Sequence, residues 1–306
     1  MSSQFSSARF SRRAVLQLTA AAASGFLAGK SGRAQVRSNQ QSTVRDRLWV
    51  FACPANSDWP YFERRSVMSP AESAFYLGVP NIIMVQIGKS TEQFRRFEPP
   101  FEQYAIALSP LKRVQWSVAG SGGFTSNEET RQVLELARKT PNITGIYFDD
   151  FFYEHEREGK RAALSLDELK DIRRELKGSG KKLDLNVTFY TNQLELPVAD
   201  YLDLMDQVTL WTWKPADLAN LEANLAKLET LAPRARRMLG CYVVDYDEKK
   251  STTVPAMKFQ CETGLRWLRQ KRIDGIVFLG NTSMDLGFEA VEWARDWVAT
   301  VGDTTF

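Results

Sequence analysis

Histidine and cysteine are scarce in this sequence. Its 306 residues contain one histidine, His155, so a zinc or iron site built from several histidines is excluded. A Ser-His-Asp triad would have to use this residue, which lies in the charged run YEHEREGKR, typical of a solvated loop. The three cysteines, Cys53, Cys241 and Cys261, are widely spaced and odd in number, which indicates neither a disulfide framework nor a zinc ribbon. We predict no metal site and no cofactor.

Long apolar runs and glycine-rich phosphate loops are also missing. The apolar run near the amino terminus ends at Ala28 and is rich in Ala, Ser, Thr and Gly, whereas a membrane span needs about 20 strongly apolar residues. The glycines of AGSGG (119–123) lack the G-x-G-x-x-G spacing of a dinucleotide-binding turn. The sequence therefore predicts no stable membrane span after processing and no phosphate-binding loop.

The amino terminus resembles a twin-arginine export signal. Arg12 and Arg13 precede a moderate apolar run, and small residues follow around Ala34. The resemblance implies that residues 1–35 are a signal peptide, that the twin-arginine export machinery is a partner, and that the protein is periplasmic or extracellular. Residues 36–46 are polar and without periodicity, which predicts a linker to the folded part.

Removal of the signal changes the charge balance. The chain has 40 basic and 37 acidic residues, and every charged residue of the signal is basic. The remaining chain carries a net charge near −2, so a basic surface for nucleic acid is not indicated. We predict no nucleic-acid partner and expect a monomer.

Strand-like and helical patterns alternate along the rest of the chain. Three helices open with Ser followed by Glu three places on, the capping-box pattern, at Ser69/Glu72, Ser126/Glu129 and Ser165/Glu168, and later helices start near Ala216, Ala256 and Phe288. Eight β-branched or aromatic runs begin at Arg47, Asn81, Lys112, Ile143, Lys182, Gln207, Met238 and Asp274. This α/β alternation predicts a single-domain (β/α)8 TIM barrel over residues 47–303, with a doubly wound sheet as the alternative.

The fifth strand carries an unusual amount of polarity. In DLNVTFY, Asp184, Asn186, Thr188 and Tyr190 share one face, and the apolar residues share the other. Because helices cover the apolar face, the polar face points into the barrel. We predict a hydrated pocket there, and a hydrogen-bonded core network is the alternative.

The fourth strand, in TGIYFDDFF, ends in the adjacent aspartates Asp149 and Asp150. Two carboxylates this close do not both ionise easily, so one pKa is raised and a proton donor lies beside an anion near neutral pH. Hydrolysis of a glycosidic bond needs an acid for the leaving oxygen and a charge for the oxocarbenium-like centre or the attacking group. An aspartate that caps a turn is the alternative interpretation.

The run IYFDDFF resembles the motif of the O-GlcNAc hydrolases and their bacterial hexosaminidase relatives, barrels whose fourth strand ends in an adjacent Asp pair. In that family the acetamido group of the substrate is the nucleophile. The resemblance covers about seven residues and implies that Asp149 orients and polarises this group while Asp150 is the general acid/base. The D-x-D-x-E spacing of the more distant chitinase-like barrels is absent.

A second hydrolase mechanism uses one aspartate of the pair as acid and takes its nucleophile from the seventh strand, at Asp245 or Asp247 in YVVDYD. A carboxyl separation of about 5 Å implies retention of configuration, and one of about 6.5–9.5 Å implies inversion. An aspartate that caps a loop is the alternative for Asp245.

The other strand ends supply candidate substrate-binding residues, several of them aromatic rings of the kind that stack on sugar C–H faces. Trp59 and Tyr61 follow the first strand. The main candidates are Gln86, Asn186, Tyr190, Trp211, Trp213, Tyr246 and Asn281. The sequence thus predicts an exported glycoside hydrolase-like barrel that acts on a glycan or small saccharide. A carbohydrate-binding barrel of the cell envelope without catalysis is the alternative.

Overall fold

The computed structural model describes residues 42–56, 62–86, 97–125, 127–157, 159–178 and 180–306. The predicted signal and most of the linker lie outside these residues, as do Trp59, Tyr61 and Ser126. The predictions made for them stay predictions.

Eight parallel strands close into a barrel. They are β1 (Leu48–Ala52), β2 (Asn81–Met84), β3 (Arg113–Gly120), β4 (Ile143–Phe148), β5 (Asp184–Tyr190), β6 (Gln207–Trp211), β7 (Arg236–Cys241) and β8 (Gly275–Leu279). Each strand pairs with the next along the chain, and β1 pairs with β8 to complete the ring. The closure confirms the (β/α)8 barrel and excludes the open, doubly wound sheet.

A helix follows every strand. The helices are α1 (Pro70–Leu77), α2 (Glu102–Ala107), α3 (Asn127–Lys139), α4 (Leu166–Gly178), α5 (Ala199–Leu202), α6 (Leu221–Leu231), α7 (Val254–Arg269) and α8 (Glu289–Val301). The capping boxes of α1 and α4 are confirmed, because Ser69 and Ser165 each exchange hydrogen bonds with the Glu three places on. The helix predicted from Ala216 begins as a 3-10 turn, Pro215–Asn220, that leads into α6.

The sequence analysis predicts no stable membrane span after processing. No helix in the described part of the chain has both the length and the apolar character that a bilayer crossing requires.

The amino-terminal half of the barrel interior is a hydrogen-bonded network. Arg236 of β7 forms an ion pair with Asp184 of β5 at 2.6 Å, and Asn186 Nδ2 donates to the Ile146 carbonyl at 2.8 Å. The hydrated pocket predicted for the whole polar face of β5 is therefore wrong for its first half. Asn186 is fully buried, so the hydrogen bond from its Nδ2 offsets part of the cost of removing the amide from water.

Two glycines leave room for large inward side chains. A Cβ on Gly240 of β7 would lie 2.1 Å from the Trp211 ring, and a Cβ on Gly145 of β4 would lie 2.6 Å from Asn186 Nδ2. Both distances are far below van der Waals contact. The absence of a side chain at these two positions therefore allows a tryptophan and an asparagine to fit inside the barrel.

The run predicted as a solvated loop after β4 is a β-hairpin instead. Its strands, Phe152–Arg157 and Lys160–Ala162, pair antiparallel. Gly159 lies in the turn with a φ of 74°, a conformation that glycine adopts without steric cost. Most of the hairpin is solvated, as predicted, and its charged residues reach the carboxyl-terminal rim of the barrel. A second hairpin, Val244–Asp245 with Lys250–Ser251, follows β7 at the same rim.

Candidate functional site

Asp149 and Asp150 directly follow β4 at the carboxyl end of the barrel. The Asp149 N–H donates to the Ala119 carbonyl at 2.8 Å and so continues the pairing with β3. Asp150 has a φ of 45°, in the left-handed region where Asp and Asn are enriched among non-glycine residues. This turn directs the two side chains to different environments: Asp149 is 5% exposed, and Asp150 is half-buried. The structure thus places the pair at the strand end that the sequence predicted.

Asp149 lies in an environment that favours its protonated form. Burial raises the pKa of its carboxyl well above the ordinary value, and the charge of Asp150 raises it further. The Thr188 hydroxyl donates to Asp149 Oδ1 at 2.8 Å, and this bond and the Asp150 backbone N–H offset part of the rise. Asp149 therefore keeps its proton at pH values where an exposed aspartate has lost it.

Asp150 is held by one donor on each carboxyl oxygen. The Tyr190 hydroxyl at the end of β5 donates to Asp150 Oδ1 at 2.5 Å. The backbone N–H of Gly122, in the loop after β3, donates to Oδ2 at 2.7 Å. Gly122 has a φ of 74°, so a glycine suits the turn that aims this N–H. Donors from the end of β5 and from the loop after β3 therefore hold the Asp150 carboxyl.

Other titratable side chains around the pair remain neutral. Burial raises the pKa of the Tyr147 hydroxyl, and the Asp149 charge raises it further. Burial and both carboxylates likewise raise the pKa of the Cys53 thiol and of the Tyr242 hydroxyl. A protonated thiol is a poor nucleophile. Within the described residues, no group of three or more His, Cys, Asp or Glu is arranged to hold a metal ion.

A cleft of about 490 Å3 opens beside Asp150. The hairpin after β4 forms one wall, and the segment after β5 forms another. Hydrogen bonds from Gln193 to the Phe152 carbonyl and from Asn192 to Glu154 tie these two walls together. The residues that give the cleft its chemical character are Asp150, Tyr153, His155, Arg157, Tyr190 and Trp213. The volume suits a small saccharide.

The aromatic candidates divide into one exposed ring and one buried ring. Trp213 is 41% exposed, lines the cleft and stacks on Tyr246 at 4.6 Å between ring centroids. Trp211 is 1% exposed and packs against Phe51 and Tyr242. The predicted contact of Trp211 with substrate is therefore not supported, because its ring belongs to the core. Trp213 therefore offers the cleft a partly exposed aromatic ring of the kind that sugars contact.

The amide candidates are engaged with the protein itself. Asn281 accepts from the Cys53 N–H at 2.9 Å and donates to the Met68 carbonyl at 2.8 Å. Gln86 is 1% exposed, and its Oε1 accepts from the Phe97 N–H at 3.0 Å. Asn186, fully buried, belongs to the network lower in the barrel. All three amides therefore form hydrogen bonds inside the barrel, and none of them lines the cleft.

Asp245 caps the turn of the second hairpin. Its Oδ1 accepts from the N–H groups of Asp247 and Glu248, each at 3.1 Å. Asp247 is exposed and forms an ion pair with Lys214 at 3.0 Å. The loop-capping interpretation describes this geometry, and a nucleophilic role for Asp245 stays a prediction. Burial raises the pKa of the hydroxyl of the next residue, Tyr246, and the charges of Asp149 and Asp150 add smaller contributions.

Three residues near the aspartate pair were not among the main candidates from the sequence: Thr188, Tyr242 and Gly122. Thr188 and Tyr242 lie at the predicted strand ends, and the period-two pattern of β5 was the signal that Thr188 points inward. The Gly122 N–H left no signal in the sequence, because a backbone group carries no residue identity. Alternation alone identifies which face a residue occupies and says nothing of its hydrogen-bond partner.

Comparisons with known proteins identify the fold. A scan against family profiles gives no match, and no curated protein matches the sequence. Among solved structures, a protein assigned as an alpha-L-fucosidase from Bacteroides thetaiotaomicron aligns with a TM-score of 0.58 at 11% identity, over 92% of this chain and 100% of its own. The PgaB (BpsB) glycoside hydrolase domain from Bordetella bronchiseptica gives 0.53 at 10%, over 85% and 99%. The ICChI chitinase from Ipomoea carnea gives 0.50 at 12%, over 82% and 99%. At such identities the likeness shows the (β/α)8 fold.

Proposed function

We propose that this protein is a glycoside hydrolase whose reacting groups are Asp149 and Asp150. The observation that carries the proposal is the environment of the pair at the end of β4: one carboxyl buried with a raised pKa, its neighbour directed to an aromatic-lined cleft. Two adjacent carboxyls with different proton affinities can supply an acid and an anion at the same pH. The solved structures that share the fold include proteins described as a chitinase and a glycoside hydrolase domain, which supports a barrel of this kind.

The geometry favours distinct roles for the two carboxyls. Asp150 lines the cleft, so it is the group that can reach a glycosidic oxygen. It delivers to that oxygen the proton that the two carboxyls share, and it later takes a proton from the attacking water. Asp149 lies deeper and binds the part of the sugar that carries developing charge. We propose that the two carboxyls share one proton, because burial and the neighbouring Asp150 both disfavour the ionised form of Asp149.

We further propose a 2-acetamido sugar as the substrate class. The resemblance of IYFDDFF to the O-GlcNAc hydrolase and hexosaminidase motif supports this choice. In that mechanism the acetamido oxygen of the substrate attacks its own anomeric carbon, so no protein nucleophile is needed. Asp149 would orient and polarise the acetamido group. The turn-capping geometry of Asp245 agrees with a mechanism that does not use it as a nucleophile.

A carbohydrate-binding barrel without catalysis is the second candidate. Both carboxyl oxygens of Asp150 already accept a hydrogen bond, one from Tyr190 and one from Gly122. A general acid gives up its proton in each turnover. To do this, Asp150 would have to break at least one of these two hydrogen bonds and form another. The exposed stack of Trp213 on Tyr246 would serve binding and catalysis equally well.

A substrate panel separates the two candidates. We expect the purified protein to release nitrophenol from aryl 2-acetamido-2-deoxyglycosides at least about 100-fold faster than from the matching aryl glycosides, because only the former carry the internal nucleophile. The measurement is kcat/KM on pairs that differ only at carbon 2, together with calorimetric binding of the free sugars.

Each other result has a definite meaning. Equal turnover of both members of a pair contradicts the acetamido mechanism and returns the nucleophile to the protein. Absence of turnover on every glycoside, with sugar binding retained, contradicts the hydrolase and supports the binding barrel.

We also propose that the protein is exported by the twin-arginine route and acts in the periplasm or outside the cell. The paired Arg12 and Arg13 before an apolar run support this. Replacing both with Lys is expected to leave the protein in the cytoplasmic fraction with its amino-terminal segment uncleaved, measured by cell fractionation and intact mass. Unchanged export of this variant would contradict the route. Arg9→Lys serves as the control, because Arg9 precedes the pair and this change also keeps the charge.

A further inference from the structure

Asp149 is the last member of a chain of hydroxyl groups that begins inside the barrel. Tyr147 Oη and Thr188 Oγ1 lie 2.9 Å apart, and Thr188 Oγ1 lies 2.8 Å from Asp149 Oδ1. The three residues are 0%, 2% and 5% exposed, so bulk water does not compete for these bonds. The chain joins two strands, since Tyr147 belongs to β4 and Thr188 to β5.

The chain has a preferred direction. A threonine hydroxyl has a single proton, and Thr188 donates it to Asp149. Thr188 must then accept a hydrogen bond from Tyr147, so the Tyr147 hydroxyl is the donor of the pair. Donors therefore point from the barrel interior towards Asp149.

We propose that Thr188 and Tyr147 are positioning residues that hold the Asp149 carboxyl for the reaction. Their hydrogen bonds hold Oδ1 towards the barrel interior and so restrict the rotation of the carboxyl. This inference rests on the proposed hydrolase function and adds two residues to it. The chain orients a carboxyl and does not conduct a proton, because the Tyr147 hydroxyl at its far end stays protonated.

Two measurable consequences follow from the loss of the Thr188 hydroxyl. A carboxyl without this bond rotates between more orientations, so fewer encounters are productive and kcat falls. The bond also favours the ionised form of Asp149, and its loss raises the pKa of that carboxyl further. The titratable groups that face Asp149 from the elements around it are Cys53, Tyr147, Asp150, Tyr190, Tyr242 and Tyr246. Burial raises the pKa of the Cys53 thiol and of the four tyrosine hydroxyls, so these groups stay neutral at neutral pH. Asp150 is the one other carboxyl in this set, and the variants below leave it in place.

The test replaces the donor without changing the shape of the side chain. For Thr188→Val we expect kcat to fall about 10–100-fold with KM within about twofold, the range for a lost hydrogen bond to a charged group. The limb of the pH–rate profile that Asp149 governs is expected to move to higher pH by about one to two units. Thr188→Ser keeps the hydroxyl and is expected to restore most of the rate. Tyr147→Phe is expected to move the same limb in the same direction by a smaller amount.

A matched control and a second readout make the outcome decisive. Thr212 is also a buried threonine, just beyond β6, and its hydroxyl has no hydrogen-bond partner among the residues that the structure describes. Thr212→Val is therefore expected to leave the pH profile unchanged.

Carbon-13 NMR titration of the Asp149 carboxyl, assigned with Asp149→Asn, measures the pKa without any turnover. A wild-type protein that hydrolyses no glycoside refutes the proposed function, and the titration still tests the chain. Identical Asp149 titration curves and pH profiles in the wild type and Thr188→Val would overturn the inference.

Discussion

Asp150→Asn is expected to lower kcat by about 10²–10⁴-fold, the usual contribution of a general acid/base. Asparagine has the same shape and tolerates the left-handed backbone at this position, where φ is 45°. It also keeps one acceptor oxygen for either Tyr190 or Gly122. The variant should therefore fold as the wild type does, and the loss should come from the missing proton.

The dependence on the leaving group identifies the role of Asp150. Loss of a general acid affects poor leaving groups most, since good ones depart without protonation. We expect the rate defect of Asp150→Asn to be large for a phenyl glycoside and to shrink for a dinitrophenyl glycoside of the same sugar. A defect of equal size on both would contradict the assignment of Asp150 as the acid.

Two other aspartates serve as controls for this change. Asp247→Asn removes a carboxylate that is exposed and paired with Lys214 at 3.0 Å, and we expect kcat within about twofold of the wild type. Asp245→Asn keeps an oxygen that can accept from the Asp247 and Glu248 N–H groups, so the turn should persist. A decrease in kcat for Asp245→Asn as large as that for Asp150→Asn would support the mechanism with a protein nucleophile on the second hairpin.

The barrel was predictable because its strands have a local signature. Runs such as ITGIYF are short, apolar and bounded by polar residues, and β4 has the predicted bounds, Ile143–Phe148. The hairpin after β4 was not predictable in this way. Its first strand, FYEHER, is mostly solvated and held by cross-strand bonds, so no apolar alternation marks it. Polar strands of this kind depend on their partner strand more than on their own composition.

The site was predictable in position and not in detail. A barrel requires functional groups at the strand ends, and this rule placed Asp149, Asp150 and Tyr190 correctly. The same rule treated Trp211 and Trp213 alike, although β6 ends at Trp211 and only Trp213 reaches the cleft. Burial depends on what the neighbouring strand supplies. Here Gly240 opens the space into which the Trp211 ring fits.

The buried carboxyl of Asp149 costs the protein stability, and its removal is expected to show this. For Asp149→Asn we expect turnover to fall by at least about 100-fold while the free energy of unfolding at pH 8 rises by at least about 1 kcal/mol. A rise of 1 kcal/mol corresponds to roughly 2–4 °C in Tm. Asparagine keeps an oxygen for the Thr188 hydroxyl and removes the charge that burial and Asp150 disfavour.

The difference in unfolding free energy between the wild type and Asp149→Asn depends on pH. Because the pKa of Asp149 is raised in the folded state, the folded protein binds a proton that the unfolded chain has already lost above about pH 4. Wild-type stability from this group is therefore complete at low pH and decreases as pH rises towards the folded pKa, while asparagine contributes no such slope. Urea unfolding of both proteins between pH 4 and pH 9 should show curves that converge at acid pH and separate at alkaline pH. Parallel curves over this range would mean that Asp149 titrates normally in the folded state, and the division of proton affinity on which the hydrolase mechanism depends would be lost.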